Sequence, residues 1–308
     1  MSGPIHTTPT EPNAPRIGAV VLPEYDWEQT RLIWTGLEDL GLHHAWTYDH
    51  HSWRSLSDAP WYDALTTLTA VACVTSRIEI GTLVSSPNFR HPAVLAKQVM
   101  TLDQVSNGRF AFGIGAGAPG NDAQLLGLSE LSAGQRADRF EEFVELSDLL
   151  LRQPTTNYRG AFFEAVEARM IPGCVQLPRV PFAIAAAGPR GMRLAARYAA
   201  RWVTIGDARQ PGERSEEESW HLLERQISRL ADACKEVGRE PSDIGKLVNV
   251  SRIVETPYAS PARFVDVIGR CHDLGFTDVV INFPRQTGVF SGDRTDFERA
   301  VSAALEAF

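Results

Sequence analysis

Three short segments of this 308-residue chain carry side chains that could do chemistry. The first is Tyr48-Asp49-His50-His51-Ser52-Trp53, where an imidazole sits between a carboxylate and aromatic rings. Histidine titrates near neutral pH and serves as acid or base, and an adjacent carboxylate can fix its tautomer. His50 is therefore the candidate acid–base residue and Asp49 its candidate orienting partner; the alternative is a histidine that only caps a loop. His50 and His51 lack further ligands nearby, so no metal site is expected. The second segment, Gly113-Ile114-Gly115-Ala116-Gly117-Ala118-Pro119-Gly120, matches G-x-G-x-x-G through Gly115, Gly117 and Gly120. A dinucleotide fold would need that pattern after the first strand, with a helix beginning at once. Here Pro119 interrupts, and the small residues are read instead as letting a flat ligand approach the backbone. The third, Ala186-Ala187-Gly188-Pro189-Arg190-Gly191, opens a helix whose free N–H groups beside an arginine could hold a phosphate or could simply be capped. Gly206 and Asp207 would reach the same ligand, and Arg285 would bring a second arginine.

These segments matter only if the fold brings them together. Short apolar runs alternate with amphipathic helices from residue 16 onward. Strands are expected at 16–22, 42–48, 78–84, 109–114, 182–187, 202–205, 247–254 and 278–283. Each is followed by helical periodicity; in the fourth helix Phe140, Phe143, Val144, Ser147, Leu150 and Leu151 share one face. Eight strand–helix pairs in this length predict an α/β fold, a closed (β/α)8 TIM barrel over 16–308, with an open doubly wound sheet as the alternative. Barrel enzymes work at the C-terminal ends of their strands, and each segment above follows a predicted strand. His43 and His44 begin the second strand, at the opposite end, and are read as structural.

Residues 153–181 interrupt the pattern between the fourth helix and the fifth strand. With Tyr158, Phe162, Phe163 and Met170, they are read as a lid over the mouth, against the alternative of packing on the outer helices. Residues 1–15, with four prolines, read as a flexible tail without the apolar core of a secretory signal. The net charge of −8 disfavours nucleic acid as a partner, and no apolar run is long enough to span a membrane. Four cysteines without a C-x-x-C pair suit a reducing cytoplasm. No G-x-S-x-G elbow, H-E-x-x-H helix or P-loop occurs. The three glycine-bearing strand ends and the Asp49-His50 pair suggest a planar, phosphorylated cofactor lying across the barrel mouth.

The stretch Gly81-Thr-Leu-Val-Ser-Ser-Pro-Asn-Phe-Arg-His-Pro92, followed by Thr101-Leu-Asp-Gln-Val-Ser-Asn-Gly-Arg-Phe110 and Gly113-Ile-Gly-Ala-Gly117, resembles the bacterial luciferase-like superfamily. So do Tyr48-Asp-His50 and the segment from Gly188 to Tyr198. The resemblance implies a (β/α)8 barrel that binds FMN or the deazaflavin F420. It implies either a monooxygenase fed reduced flavin, with a flavin reductase as partner, or an enzyme moving a hydride between F420 and a small-molecule substrate. A non-catalytic flavin-binding protein on the same scaffold is the alternative. The resemblance places Asp49 and His50 beside the reacting ring with Trp53 beyond, and Leu83, Val84 and Ser85 against the cofactor, the Leu83–Val84 bond being cis. It places Gly115, Gly117, Ala187, Gly188, Pro189, Arg190, Gly206 and Asp207 around the remainder. It also implies a homodimer. Ala118 and Ala208 stand where some sugar-phosphate-oxidising relatives carry Glu and Lys, which puts a close copy of those enzymes in doubt.

Overall fold

The computed structural model describes residues 14–207 and 213–308. The tail expected over 1–15 lies almost wholly outside them, as does Ala208. The chain runs β1 (Arg16–Val21), α1 (Trp27–Asp39), β2 (His44–Thr47), α2 (Ala64–Val74), β3 (Glu79–Thr82), α3 (Pro92–Ser106) and β4 (Phe110–Gly115). It continues through a one-turn helix α4 (Asn121–Gln124), α5 (Ala133–Arg152), a hairpin of β5 (Thr155–Arg159) and β6 (Glu164–Arg169), then β7 (Phe182–Ala185) and α6 (Pro189–Tyr198). It ends with β8 (Arg201–Thr204), α7 (Glu216–Glu236), β9 (Gly245–Asn249), α8 (Pro261–Asp273), β10 (Asp278–Asn282) and α9 (Arg294–Ala307). Eight strands pair in parallel in the ring β1-β2-β3-β4-β7-β8-β9-β10, closed where Arg16 to Val20 lie opposite Asp278 to Asn282. The closed barrel is therefore observed, and the open sheet is excluded.

Two apolar layers hold it. Phe112, Phe182 and Trp202 pack outward under the helices, while Val20, Trp46, Leu83 and Val280 fill the barrel interior. Trp46 is the large residue inside, and it sets its neighbours. A Cβ on Gly81 would lie 2.4 Å from the Trp46 ring, so β3 needs glycine there.

The N-terminal end of the barrel is closed by ions. Asp278 on β10 is fully buried, 2.7 Å from Arg16 on β1 and 3.2 Å from His44 on β2. Arg201 on β8 approaches it at 3.5 Å and also binds Glu79 on β3. The Trp46 indole N–H donates to His44 Nδ1 at 2.8 Å, so the ring proton belongs on Nε2, facing Asp278. His44 is structural, as its position at this end suggested.

The insertion differs from the lid expected of it. It follows a helix and leads into a strand, on the connection away from the chemistry-bearing loops. Its hairpin packs on α3 and α5. Phe163 is buried edge-on to Phe143 and His91, Tyr158 donates to Glu145, and the Glu142 carboxylate accepts the Phe162 and Phe163 N–H groups. The reason is local: α5 offers both an apolar stripe and the acceptor that satisfies the hairpin's backbone.

Glu38, near the end of α1, does similar work. Its carboxylate accepts the backbone N–H groups of Ser76, Arg77 and Ile78 at 2.6–3.1 Å as the chain enters β3. Burial pushes its pKa up, but the N–H groups of Ile78, Arg77 and Ser76 outweigh that and lower it to about 2. A lowered folded-state pKa means stability present above the unfolded value and lost as pH falls through the folded one. Glu38→Ala should lower Tm at pH 7 by on the order of 2–4 °C. Calorimetry across pH should show that gap closing between about 4.5 and about 2.

Candidate active site

The C-terminal strand ends surround a cleft of about 660 Å³. Its floor is apolar, made by Leu83 and Val84 after β3, Gly115 at the end of β4, Ala185 on β7 and Val203 on β8. The Leu83–Val84 peptide is cis, as the resemblance implied. Of Gly115, Gly117 and Gly120, the first two also make room for protein. A Cβ on Gly115 would meet Val84 at 2.7 Å, and one on Gly117 would meet the Asn88 side chain at 2.6 Å. Gly117 also has a φ of +76°, which favours glycine. Asn88 in turn donates to the Ala118 carbonyl at 2.8 Å and accepts from buried Arg139 at 2.6 Å, so the β4 loop is braced from below. Gly115, Gly117 and Gly120 all line the cleft, and a Cβ on Gly120 would meet nothing within 4 Å.

The polar groups stand on the wall: His50, Arg54, Asp122 and Arg252, with Asn249 deeper. His50 Nδ1 lies 2.6 Å from Asp122 Oδ2, and the other Asp122 oxygen accepts the His51 backbone N–H at 3.0 Å. The Trp61 indole holds the His50 carbonyl at 2.8 Å. The Asp122 carboxylate can only accept, and Nδ1 is the ring nitrogen it faces. Asp122 is buried while the His50 side chain is about one-third exposed (32%), so the charge is shielded and the imidazole is accessible.

Asp49, expected to orient His50, does not do so. It points away, fully buried, with Arg90 Nη2 and Nε at 2.6 and 3.2 Å. Burial pushes the Asp49 carboxyl up, and the Arg90 guanidinium opposes it. Arg90 also binds Asp63, the N-cap of α2, at 2.7 Å. Side chains alternate along extended chain, so neighbours such as Asp49 and His50 face opposite ways. Asp122, 72 residues away, was not singled out from sequence.

Trp53 lines the cleft, buried, stacked between Trp61 and Phe290 with centroids 6.2 Å from each. Phe290 arrives on the loop after β10, where Arg285 grips Glu24 of the β1 loop at 2.6 and 2.7 Å. Arg285 is therefore a brace rather than a group offered to a ligand. Tyr48 is also buried beside the cleft, and burial pushes its phenol up, keeping it neutral.

The remaining expected residues divide. His50, Trp53, Leu83, Val84, Gly115, Gly117, Ala187 and Gly206 line the cleft. Ser85 is buried outside its lining, and Asp207 is paired with Arg214. Gly188, Pro189 and Arg190 border a second cleft of about 340 Å³, which shares Ala116, Ala185, Ala186 and Ala187 with the first. Gly188 caps α6 without any side-chain bond, so the helix start is open. The Arg190 side chain turns aside to Asp138 and Glu141 at 2.6 and 3.0 Å, so its expected phosphate contact is not preformed. No residue of 153–181 lines either cleft. Among the described residues, no cluster of His, Cys, Asp and Glu could hold a metal.

Comparison with known proteins gives the following. Residues 8–260 match the sequence profile described as luciferase-like monooxygenase. An F420-dependent glucose-6-phosphate dehydrogenase of Amycolatopsis mediterranei is 36% identical over 53% of this chain and 48% of its own length. The 4-hydroxyprotoasukamycin monooxygenase of Streptomyces nodosus subsp. asukaensis is 30% identical over 66% of this chain and 52% of its own. The chain thus spans about half the length of these relatives. An F420-dependent secondary alcohol dehydrogenase shares the fold at TM-score 0.75 and 19% identity, covering 94% of this chain and 97% of that one.

The Asp49–Arg90 pair yields a stability test. Arg90→Leu strands a buried carboxylate and should cost about 3–5 kcal/mol in urea denaturation. Adding Asp49→Asn should recover part of that loss; if it does not, the pair is not what holds this loop.

Proposed function

This chain belongs to the luciferase-like monooxygenase family, and we propose that it is a flavin- or deazaflavin-dependent oxidoreductase with F420 or FMN across its C-terminal mouth. The observation that carries the proposal is an accessible imidazole, fixed by a buried carboxylate, on the wall of a large cleft with an apolar floor. The residues fit a planar, phosphorylated group: a broad apolar floor, then a narrower cleft ending at an uncapped helix start. Leu83 and Val84 would lie under the ring, with Gly115, Gly117, Ala187 and Gly206 around it. The N–H groups of Arg190 and Gly191, at the start of α6, would meet the phosphate. When bound, such a group supplies a hydride acceptor or donor. His50 Nε2 then takes the proton from a substrate hydroxyl as the carbon-bound hydrogen leaves as hydride, and returns it in the reverse direction. Trp53, clamped in its stack, walls the substrate side.

Hydride transfer to or from F420 is favoured because it uses an oriented base, and several relatives carry that activity in their names. A monooxygenase reaction with reduced FMN and O2, served by a flavin reductase, is the second reading. It is supported by the monooxygenase relative and the apolar floor.

Titration of the purified chain with FMN and with F420, followed by fluorescence, should show saturable binding of one of them. Binding of neither would remove the proposal. His50→Ala should leave that affinity nearly unchanged and cut turnover by about 10²–10⁴; unchanged turnover would make His50 a loop residue.

We further propose a homodimer in a reducing compartment. All four cysteines are free, and no helix among the described residues is long and apolar enough to cross a membrane. Val166, Ile171 and Leu177, on and after the hairpin, are exposed apolar side chains that a second copy could cover. Light scattering at micromolar concentration should give twice the 33.9 kDa chain mass, and a monomer would refute the pairing.

A further inference from the structure

We propose that Asp122 is the positioning residue of the site, and that it acts by dictating which nitrogen of His50 carries the proton. The two oxygens of its carboxylate are not equivalent. Oδ1 is committed to the His51 backbone N–H at 3.0 Å, and Oδ2 faces His50 Nδ1 at 2.6 Å. The first bond comes from a donor that cannot reverse its role, because a backbone N–H only donates. The second is therefore the one that selects the tautomer. With an acceptor at Oδ2, the neutral ring must hold its proton on Nδ1, leaving the Nε2 lone pair as the basic site.

The surroundings make this geometry rigid. Asp122 is 5% exposed, so solvent does not compete for its oxygens. It sits on α4, at the end of the loop that Asn88 and Arg139 brace. The His50 carbonyl is pinned by Trp61. Residues from the loops after β2 and β4 are thus locked into one dyad. The carboxylate next to His50 in sequence, Asp49, is committed to Arg90 and takes no part.

This arrangement makes Asp122→Asn an unusually direct probe. In that variant the carbonyl oxygen of the new side-chain amide must remain on the His51 N–H, because an NH2 group there would set donor against donor. The NH2 group then faces His50 Nδ1 and donates to it. The ring proton is forced onto Nε2, with no change in shape and with the His51 bond kept. Asp122→Glu keeps the carboxylate and should restore the parent tautomer.

The inference rests on the reading of this cleft as the reaction site, but its test does not require the cofactor or a substrate. Histidine labelled with 15N in the full chain, with His50 assigned through His50→Gln, reports the protonated nitrogen by two-bond ring couplings at a pH where the ring is neutral. The expected result is Nδ1–H in the parent and Asp122→Glu, and Nε2–H in Asp122→Asn. Diethyl pyrocarbonate, whose carbonyl is attacked by an unprotonated imidazole nitrogen, should modify His50 several-fold more slowly in Asp122→Asn, read by peptide mass spectrometry. Nε2–H in the parent, or an unchanged tautomer in Asp122→Asn, would overturn the proposal. Failure of FMN and F420 to bind, with the tautomer inverted as expected, would overturn the functional reading and leave the dyad standing.

Discussion

The barrel depends on one buried carboxylate. Asp278 lies at the seam where the last strand meets the first, and its neighbours come from β1, β2 and β8, with Glu79 of β3 joined through Arg201. Burial alone would push its pKa up. The hydrogen bond from His44 and the charges of Arg201 and Arg16 more than reverse that, and hold the carboxyl well below the usual range. Buried ions are costly to desolvate, and this cluster sets against that cost the pairing of Arg16 and Arg201 with Asp278 and Glu79. Its role is one of registration: β1 and β10 cannot slip past each other without separating Arg16 from Asp278.

With the N-terminal end fixed by charge, the other end is left apolar and open. The strand ends that reach the mouth present Leu83, Val84, Ala185 and Val203, and the ionisable side chains stand on the loops around them. The division suits the function proposed above, a planar ring held against the floor and a proton moved at the edge. Structure and chemistry occupy opposite ends of the same barrel, which is the general arrangement of this architecture.

The sequence made the barrel legible because its signal is redundant. Each strand–helix unit repeats the same alternation, and an error of two to five residues at an element's ends, as in 247–254 against Gly245–Asn249, leaves the topology intact. His50, Trp53 and the floor were legible because strand ends are easily located. The partner of His50 was not. Asp49 was nearer along the chain, but the backbone turns it to the other side, and the contact with Asp122 exists only because closure brings the β2 and β4 loops together. The pairing of Arg190 was not legible for a related reason: its partners, Asp138 and Glu141, lie on the preceding helix. The hairpin escaped because its strands, with charged residues such as Arg159, Glu164 and Arg169, lack the apolar run that marks a barrel strand.

The grip of Arg285 on Glu24 couples the seam of the barrel to the cleft. It bolts the loop after the last strand to the loop after the first, and in doing so delivers Phe290 to the stack that holds Trp53. The aromatic wall is therefore assembled across the seam of the barrel, with Trp53 and Trp61 from the loop after β2 and Phe290 from the loop after β10. Loosening the Arg285–Glu24 pair would thus reach the cleft through Phe290 and Trp53, although neither charged residue lines it.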